Sequence, residues 1–197
     1  AGDDTAAWHT EVGTELFTTD TMVEGVHFTR ETTPWDDLGW KVMAANISDI
    51  ASMGGDPMFA LVTLGMPAET EIEDLDSLYD GMLDLGGRYG VAIVGGDMVR
   101  SPTAFITVGL TGVCAGAPMQ RSTAKAGDLV AVTGYLGSSA GGLEILLGDF
   151  SAPGEPERQL KHAHRRPEPC VSQGATLIQH GVRTAMDISD GLVDDLS

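Results

Sequence analysis

The sequence predicts an α/β or α+β fold in which helices cover sheets, because apolar segments with strand spacing alternate with segments of helical spacing. Hydrophobic side chains make up 42% of the 197 residues, which is enough for a real core in one large domain or two smaller ones. A break between two strand patterns near 116–127 is the most favourable place for a domain boundary. No apolar run approaches the roughly 20 residues that a membrane helix needs.

Two long helices are predicted in the first half of the chain. The first begins with Thr33 as N-cap and Pro34 in the first helical position, and it ends at the glycine pair 54–55. The second begins at Glu71 and repeats apolar residues every three or four positions as far as Tyr89. A shorter helix follows a glycine- and serine-rich turn.

Strands are predicted wherever short apolar runs are bounded by glycine, proline or polar residues. These runs are 16–19, 59–66, 91–94, 104–113 and 129–132. The run 91–94 is expected to end at the glycines before Asp97. The segment 151–158 is predicted to be a loop because it contains two prolines and a glycine, and 186–191 is predicted to join a strand to a helix.

The charge balance argues against nucleic acid and anionic membranes as partners, since 29 acidic residues face only 11 lysines and arginines. Cys114 and Cys170 lie far apart and form no C-x-x-C pair, which excludes a disulfide scaffold and a cysteine zinc site. Together with the absence of a visible signal peptide, this favours a reducing cytoplasm. The acidic residues themselves have two interpretations: general solubility or salt adaptation, and the collection of cations.

A subset of the aspartates favours cation binding, because they lie at predicted strand ends or beside glycines, where α/β folds hold ligands. These residues are Asp3, Asp4, Asp20, Asp97, Asp187 and Asp190. Asp49 lies inside the first predicted helix, where aspartate is a poor helix former and needs another reason. Taken singly, an aspartate beside a glycine is more often a turn residue or a helix cap.

Converging carboxylates would repel each other by roughly 1 kcal/mol per pair at about 4 Å in water, and by about 4 kcal/mol at an effective dielectric near 20. Bound cations would remove that cost. An all-oxygen ligand set selects a hard ion such as Mg²⁺ or Mn²⁺, and Mg²⁺ with few protein ligands implies phosphates in its shell. The aspartates therefore predict phosphoryl transfer, although at low specificity.

No other catalytic pattern competes with this prediction. The glycine-rich segment 134–142 lacks the Gly-Lys-Ser/Thr ending of a Walker loop, and no Ser-His-Asp or Cys-His arrangement can be proposed. Arg121 is one of the few cationic residues that could hold a nucleotide phosphate. On local grounds alone, His27 is an ordinary histidine at the surface or at the edge of the core.

Six ordered blocks resemble the thiamine-monophosphate kinase family, within the superfamily that includes aminoimidazole ribonucleotide synthetase. The blocks are 2–7, 18–28, 46–54, 95–97, 121–128 and 187–191. The resemblance implies an α+β N-terminal domain, residues 1–119, which dimerises through its sheet. The first part of an α/β C-terminal domain, residues 120–197, is expected to follow. Because family members continue further, that second domain is expected to be truncated.

The resemblance also implies an activity: ATP-dependent phosphorylation of thiamine monophosphate to thiamine diphosphate, carried out by a cytoplasmic homodimer with several Mg²⁺ ions. The implied Mg²⁺ ligands, some acting through water, are Asp4, Thr18, Thr19, Asp20, Asp49, Asp97, Asp187 and Asp190. The implied ATP contacts are Gly96, Asp97, Arg121 and Ser189, and His27 is the implied contact to the thiamine phosphate. No side chain needs to act as a strong general base, because the acceptor is a phosphate oxygen that is already ionised at pH 7.

Two alternatives stay open at this point. The first is another ATP-using enzyme of the same superfamily, such as one resembling aminoimidazole ribonucleotide synthetase, whose acceptor is an amide oxygen. The second is a non-catalytic fragment that binds Mg²⁺ and nucleotide.

Overall fold

A computed structural model describes residues 3–11 and 13–197, and within them one mixed sheet organises the first part of the chain. The strand order is β1-β2-β5-β3-β4, and all neighbours are antiparallel except β3 and β4. The strands are β1 Ala6–Thr10, β2 Gly13–Val23, β3 Asp56–Met66, β4 Ala92–Arg100 and β5 Phe105–Cys114. Gly2, in the first resemblance block, lies outside the described residues.

Two long helices cover one face of this sheet, and shorter helices follow. The helices are α1 Trp35–Ser52, α2 Ile72–Tyr89, α3 Ser138–Leu147, α4 Glu155–Arg165, α5 Val171–Gln179 and α6 Leu192–Leu196. Leu16 and Val108 of the sheet are fully buried in the same core as Ile47 of α1 and Leu78 of α2. Among the described residues, no helix has both the length and the apolar composition needed to cross a membrane.

Glycines allow α1 and α2 to approach each other closely. A Cβ atom added at Gly39 of α1 would lie 2.0 Å from the Leu78 carbonyl oxygen. One added at Gly81 of α2 would lie 1.9 Å from the Asp36 carbonyl oxygen. Real Cβ atoms do not approach backbone oxygens so closely, and the helix crossing therefore depends on both glycines.

The other face of the sheet, which we call the open sheet face, carries exposed apolar side chains. Phe17 of β2 is 38% exposed, and Phe59 and Leu61 of β3 are 46% and 53% exposed. Large apolar patches on a surface mark interaction sites more often than chance. The open sheet face is therefore a candidate interface.

The chain after α4 is anchored on the helical layer. Arg166 donates from Nε to Asp37 at 2.5 Å and from Nη2 to Asp36 at 2.7 Å. Trp40 Nε1 donates to the Pro167 carbonyl at 2.8 Å, and Gly174 of α5 packs onto the Ala51 carbonyl. The first contacts hold the end of α4 at the N-terminal part of α1, and the last holds α5 at the C-terminal end of α1.

Most of the predicted elements of the first 115 residues are confirmed. The two long helices occur as expected, although Pro34 and not Thr33 occupies the N-cap position, so that detail was wrong. The runs 59–66 and 104–113 fall within or beside β3 and β5. The predicted break before Asp97 was also wrong, because β4 continues through the glycines to Arg100.

The later part of the chain differs more from the sequence prediction. The run 129–132 is not a strand; Leu129 is 97% exposed, and no described strand pairs with it. Helix α4 begins at Glu155, inside the predicted loop, and 186–190 lies outside regular structure. The boundary at 119/120 stays a prediction.

Candidate active site

Carboxylates from four parts of the chain meet beside β2. The Thr18 hydroxyl lies 2.5 Å from Asp49 Oδ2 of α1 and 3.3 Å from the Asp4 carbonyl oxygen. The backbone N–H of Asp187 donates to Asp4 Oδ2 at 3.2 Å. Asp20 follows Thr18 by two positions and therefore points to the same face of the sheet. We call Asp4, Asp20, Asp49 and Asp187 the carboxylate cluster.

Asp4 is the most enclosed member of the cluster, with a side chain that is 0% exposed. Its carboxylate forms an ion pair with Arg121 and accepts a hydrogen bond of 2.5 Å from Ser52 Oγ. The backbone N–H of Arg121 donates to Asp3 Oδ1 at 2.6 Å, which fixes this arginine over the cluster. Asp4 thus holds the start of the chain against α1 and the segment around Asp187.

The members of the cluster influence each other electrostatically. Burial raises the pKa of Asp49 to about 7; the Thr18 hydrogen bond opposes this rise, and the charges of Asp187, Asp20 and Asp4 add to it. Burial also raises the pKa of Asp187 to about 6, with contributions from Asp4 and Asp195 and an opposing one from Arg121. Carboxylates in such surroundings are unfavourable when ionised, unless a cation joins them.

Three further predicted residues border the cluster. Burial raises the pKa of Asp20, the charge of His27 opposes that rise, and the charge of Asp190 adds to it. His27 Nδ1 accepts the Val23 N–H at 3.1 Å, which holds the ring close to the end of β2. Ser189 lies beside Asp190 in the segment before α6.

Gly96 and Asp97 lie away from the cluster within one chain. The register pairs Asp20 with Val108, Val108 with Val62, and Val62 with Gly96, a separation of three strand spacings, or roughly 14 Å. Asp97 pairs with Thr63, so its side chain belongs to the open sheet face, opposite to Asp20.

Thr19 also belongs to the open sheet face, since it alternates with the buried Thr18 and is exposed. Thr19 would therefore contact an ion at the cluster through its backbone carbonyl and not through its side chain.

The oxygen donors of the cluster fit Mg²⁺, although its side chains do not converge into a complete coordination shell. Among residues 3–11 and 13–197, no three acidic, histidine or cysteine side chains are close enough to hold a single ion. Mg²⁺ does not require such a cage, because it commonly keeps several waters and binds one or two carboxylates together with substrate phosphates. The oxygen-only donors of the cluster suit this mode of binding. The raised pKa values of Asp49 and Asp187 show that the ionised carboxylates lack the positive charge that a bound cation would supply.

Sequence reasoning missed three residues of this site. Ser52 bonds to Asp4, and Asn46 accepts the Asp20 N–H at 3.2 Å. Asp195 Oδ2 accepts the N–H groups of residues 189, 190 and 191 at 3.0, 3.2 and 3.1 Å. Asn46 alone carried a signal that could have been used, since it is a polar residue on the apolar stripe of a predicted helix.

Comparison with known proteins identifies the class to which this fold belongs. The family model described as AIR synthase related protein, N-terminal domain, matches residues 2–115. The chain belongs to this family, and the predicted fold class is thereby confirmed.

Within that class the chain is similar to thiamine-monophosphate kinases, as the six blocks predicted. It is 39% identical to the Bacillus subtilis kinase over 201 residues, which cover 100% of this chain and 62% of that protein. Identity to the Escherichia coli kinase is also 39%, covering 99% of this chain and 60% of that protein. The solved structure of AaThiL complexed with AMPPCP and TMP has a TM-score of 0.92 at 35% identity, covering 99% of this chain and 62% of that one. The chain thus spans about three fifths of the length of these relatives.

Proposed function

We propose that this chain carries the metal and ATP side of an enzyme that transfers the γ-phosphate of ATP to thiamine monophosphate. The observation that carries the proposal is the carboxylate cluster, with Arg121 above it and His27 at its edge. The similarity to thiamine-monophosphate kinases supports this choice of substrates, as does the structural likeness to AaThiL complexed with AMPPCP, an ATP analogue, and TMP.

We infer that the cluster would hold Mg²⁺ through Asp4, Asp20, Asp49 and Asp187, with Thr18 and Asp190 as further oxygen donors. The ions would neutralise the phosphates of the two anionic substrates so that they can approach each other. Arg121 would contribute a fixed positive charge beside the nucleotide phosphates, and Ser189 would contact ATP from the segment before α6. His27 would contact the phosphate of thiamine monophosphate.

The reaction needs positioning more than proton transfer. A phosphate oxygen of thiamine monophosphate forms a bond to the γ-phosphorus of ATP while the bond from that phosphorus to the β–γ bridging oxygen breaks, and ADP leaves with the electron pair. The attacking oxygen is already ionised at pH 7, so no residue has to remove a proton from it. The residues therefore act by holding the two phosphates in line and by stabilising charge.

Asp195 would position the ATP-contacting segment, because its carboxylate accepts three consecutive backbone N–H groups from residues 189–191. Asp195→Ala is expected to weaken binding of an ATP analogue about 10-fold, since charge-assisted hydrogen bonds of this kind order a loop. Calorimetry with Mg²⁺ present measures the change. Asp194→Ala, at the exposed neighbouring position, is the control and should bind like the wild type; equal affinity of both variants would contradict a role for Asp195.

A homodimer formed through the open sheet face completes the proposal. It would cover Phe17, Phe59 and Leu61, and it would place Asp97, which belongs to the same face, at the interface between the two copies. The cytoplasm is the proposed location, in keeping with two free cysteines.

Leu61→Glu tests the dimer by placing a charge on the open sheet face. Burying an unpaired carboxylate costs several kcal/mol, so the variant is expected to be monomeric at micromolar concentration. Ile72→Glu is the matched control, because Ile72 is 71% exposed on α2 at the other face of the sheet. Light scattering after size-exclusion chromatography should show a dimer for this control and for the wild type. A dimer of Leu61→Glu would contradict the interface.

The activity is tested by supplying ATP and Mg²⁺ with one of two acceptors. Thiamine diphosphate from thiamine monophosphate, with no product from formylglycinamidine ribonucleotide, is the expected result. Product only from the second acceptor would favour an enzyme resembling aminoimidazole ribonucleotide synthetase. No turnover of either, with Mg²⁺-dependent binding of an ATP analogue retained, would favour a non-catalytic binding protein.

A further inference from the structure

Asn46 is an unusual residue for its place in the fold. It lies in the middle of α1, its side chain is fully buried, and its neighbours Met43, Ile47 and Ile50 belong to the apolar core. Asparagine is a weaker helix former than leucine or alanine, and a buried amide is costly unless its polar atoms are paired. Such a residue in the core stripe of a helix therefore requires a specific reason.

The hydrogen bonds of Asn46 supply that reason. Its Nδ2 donates to the Val42 carbonyl at 2.9 Å, which fixes the orientation of the amide. Its Oδ1 then accepts the backbone N–H of Asp20 at 3.2 Å. Strand β1 pairs with β2 only as far as Phe17, so within the described residues no strand covers this edge of β2 at Asp20. Asn46 provides the missing acceptor.

A second link joins the same two elements. Thr18 of β2 bonds to Asp49 of α1, and Asp20 of β2 bonds to Asn46 of α1. The two links lie about 6.7 Å apart along the strand and about 4.5 Å apart along the helix. Together they set the register between β2 and α1, and hence the position of Asp20 relative to Asp49. Because these carboxylates repel each other, they need such a constraint to stay in place.

We propose that Asn46 is a positioning residue of the cation site: it fixes the backbone of Asp20 against α1 so that Asp20 and Asp49 can act on one bound ion or ion group. This inference rests on the proposed function, since it assumes that the carboxylate cluster binds Mg²⁺. Asn46 itself does not contact the ion. Replacing Asn46 should weaken metal binding, because residues that orient metal ligands typically contribute 10- to 100-fold in affinity or activity.

Asn46→Leu tests the proposal, since it keeps the size of the side chain and removes both polar atoms. Mn²⁺ binding is measured by electron paramagnetic resonance of the free ion, and stability is measured by urea unfolding without metal. The control is Met43→Ala, a core change on the same helix at a residue that lies beside Gly86 of α2. We expect both variants to lose stability, and only Asn46→Leu to bind Mn²⁺ at least 10-fold more weakly.

The possible outcomes are distinct. Wild-type affinity for Mn²⁺ in Asn46→Leu, or an equal loss in Met43→Ala, would overturn the positioning role while leaving the proposed function intact. Absence of Mn²⁺ binding by the wild type would overturn the proposed function and the inference with it. If Asn46→Leu does not fold, Asn46→Ala, which leaves room for a water at the Asp20 N–H, is judged by the same criteria.

Discussion

Asp49→Asn is expected to reduce metal-dependent phosphoryl transfer by orders of magnitude while leaving the fold intact. Asp49 is the cluster member with the pKa raised furthest, to about 7, and it bonds directly to Thr18. Asparagine keeps the shape of the side chain and one acceptor oxygen. It loses the negative charge that attracts Mg²⁺ and balances the positive charge of the ion. Thiamine diphosphate formation at saturating ATP measures the loss. Asp76→Asn, at an exposed position of α2, is the control and should keep full activity.

The same substitution should increase metal-free stability at neutral pH. The pKa of Asp49 lies above its ordinary value of 3.8, so the folded state holds this proton more tightly than the unfolded state does. Stability of the wild type therefore falls as pH rises from about 4 to about 7, and the asparagine variant escapes that loss. Allowing for solvent screening of a partly exposed group, the gain is on the order of 1 to 2 kcal/mol above pH 7.

Without metal, Asp49→Asn should be the more stable of the two proteins at neutral pH. Mg²⁺ should make the wild type the more stable one, because the ion binds and stabilises the wild type and not the variant. Urea unfolding at pH 5 and pH 8, with and without Mg²⁺, checks both statements. A variant that is active, or that Mg²⁺ stabilises as much as the wild type, would show that Asp49 does not hold the cation.

Gly81→Ala is expected to destabilise the fold by about 3 kcal/mol or more, because overpacking costs 1 to 3 kcal/mol even where flexible side chains can adjust. Here the new Cβ would meet the Asp36 carbonyl oxygen at 1.9 Å, and only a shift of α1 against α2 would relieve the clash. Thermal and urea unfolding measure the loss.

Gly87→Ala is the matched control on the same helix, since a Cβ at Gly87 would meet nothing within 4 Å. Alanine there should stabilise α2 by about 0.5 to 1 kcal/mol. If both alanine variants had similar stability, the close crossing of α1 and α2 would be wrong.

The sequence predicted best where local chemistry and tertiary packing agree. The glycine stop of α1 and the apolar periodicity of α2 are local signals, and both helices lie where these signals predicted them. Asp49 was conspicuous as an aspartate inside an apolar helix, and its contact with Thr18 accounts for it.

Other features depended on partners that a linear pattern does not reveal. Strand β4 runs through its glycines because parallel pairing with β3 holds them extended, and a Cβ at Gly96 would lie 1.8 Å from the Val62 carbonyl oxygen. The run 129–132 has strand spacing, but no described strand lies beside it. Spacing also could not reveal that Asp97 belongs to the opposite face of the sheet from Asp20, since that depends on register across four strands.

The most direct test of the proposed site is a crystal structure with Mn²⁺ and a non-hydrolysable ATP analogue, with the ions located by anomalous scattering. We expect Mn²⁺ peaks within about 2.2 Å of carboxylate oxygens of the cluster, bridged to the nucleotide phosphates, with Arg121 beside them. Peaks elsewhere, or a nucleotide bound away from Asp4, Asp20, Asp49 and Asp187, would contradict the assignment of this cluster as the centre of phosphoryl transfer.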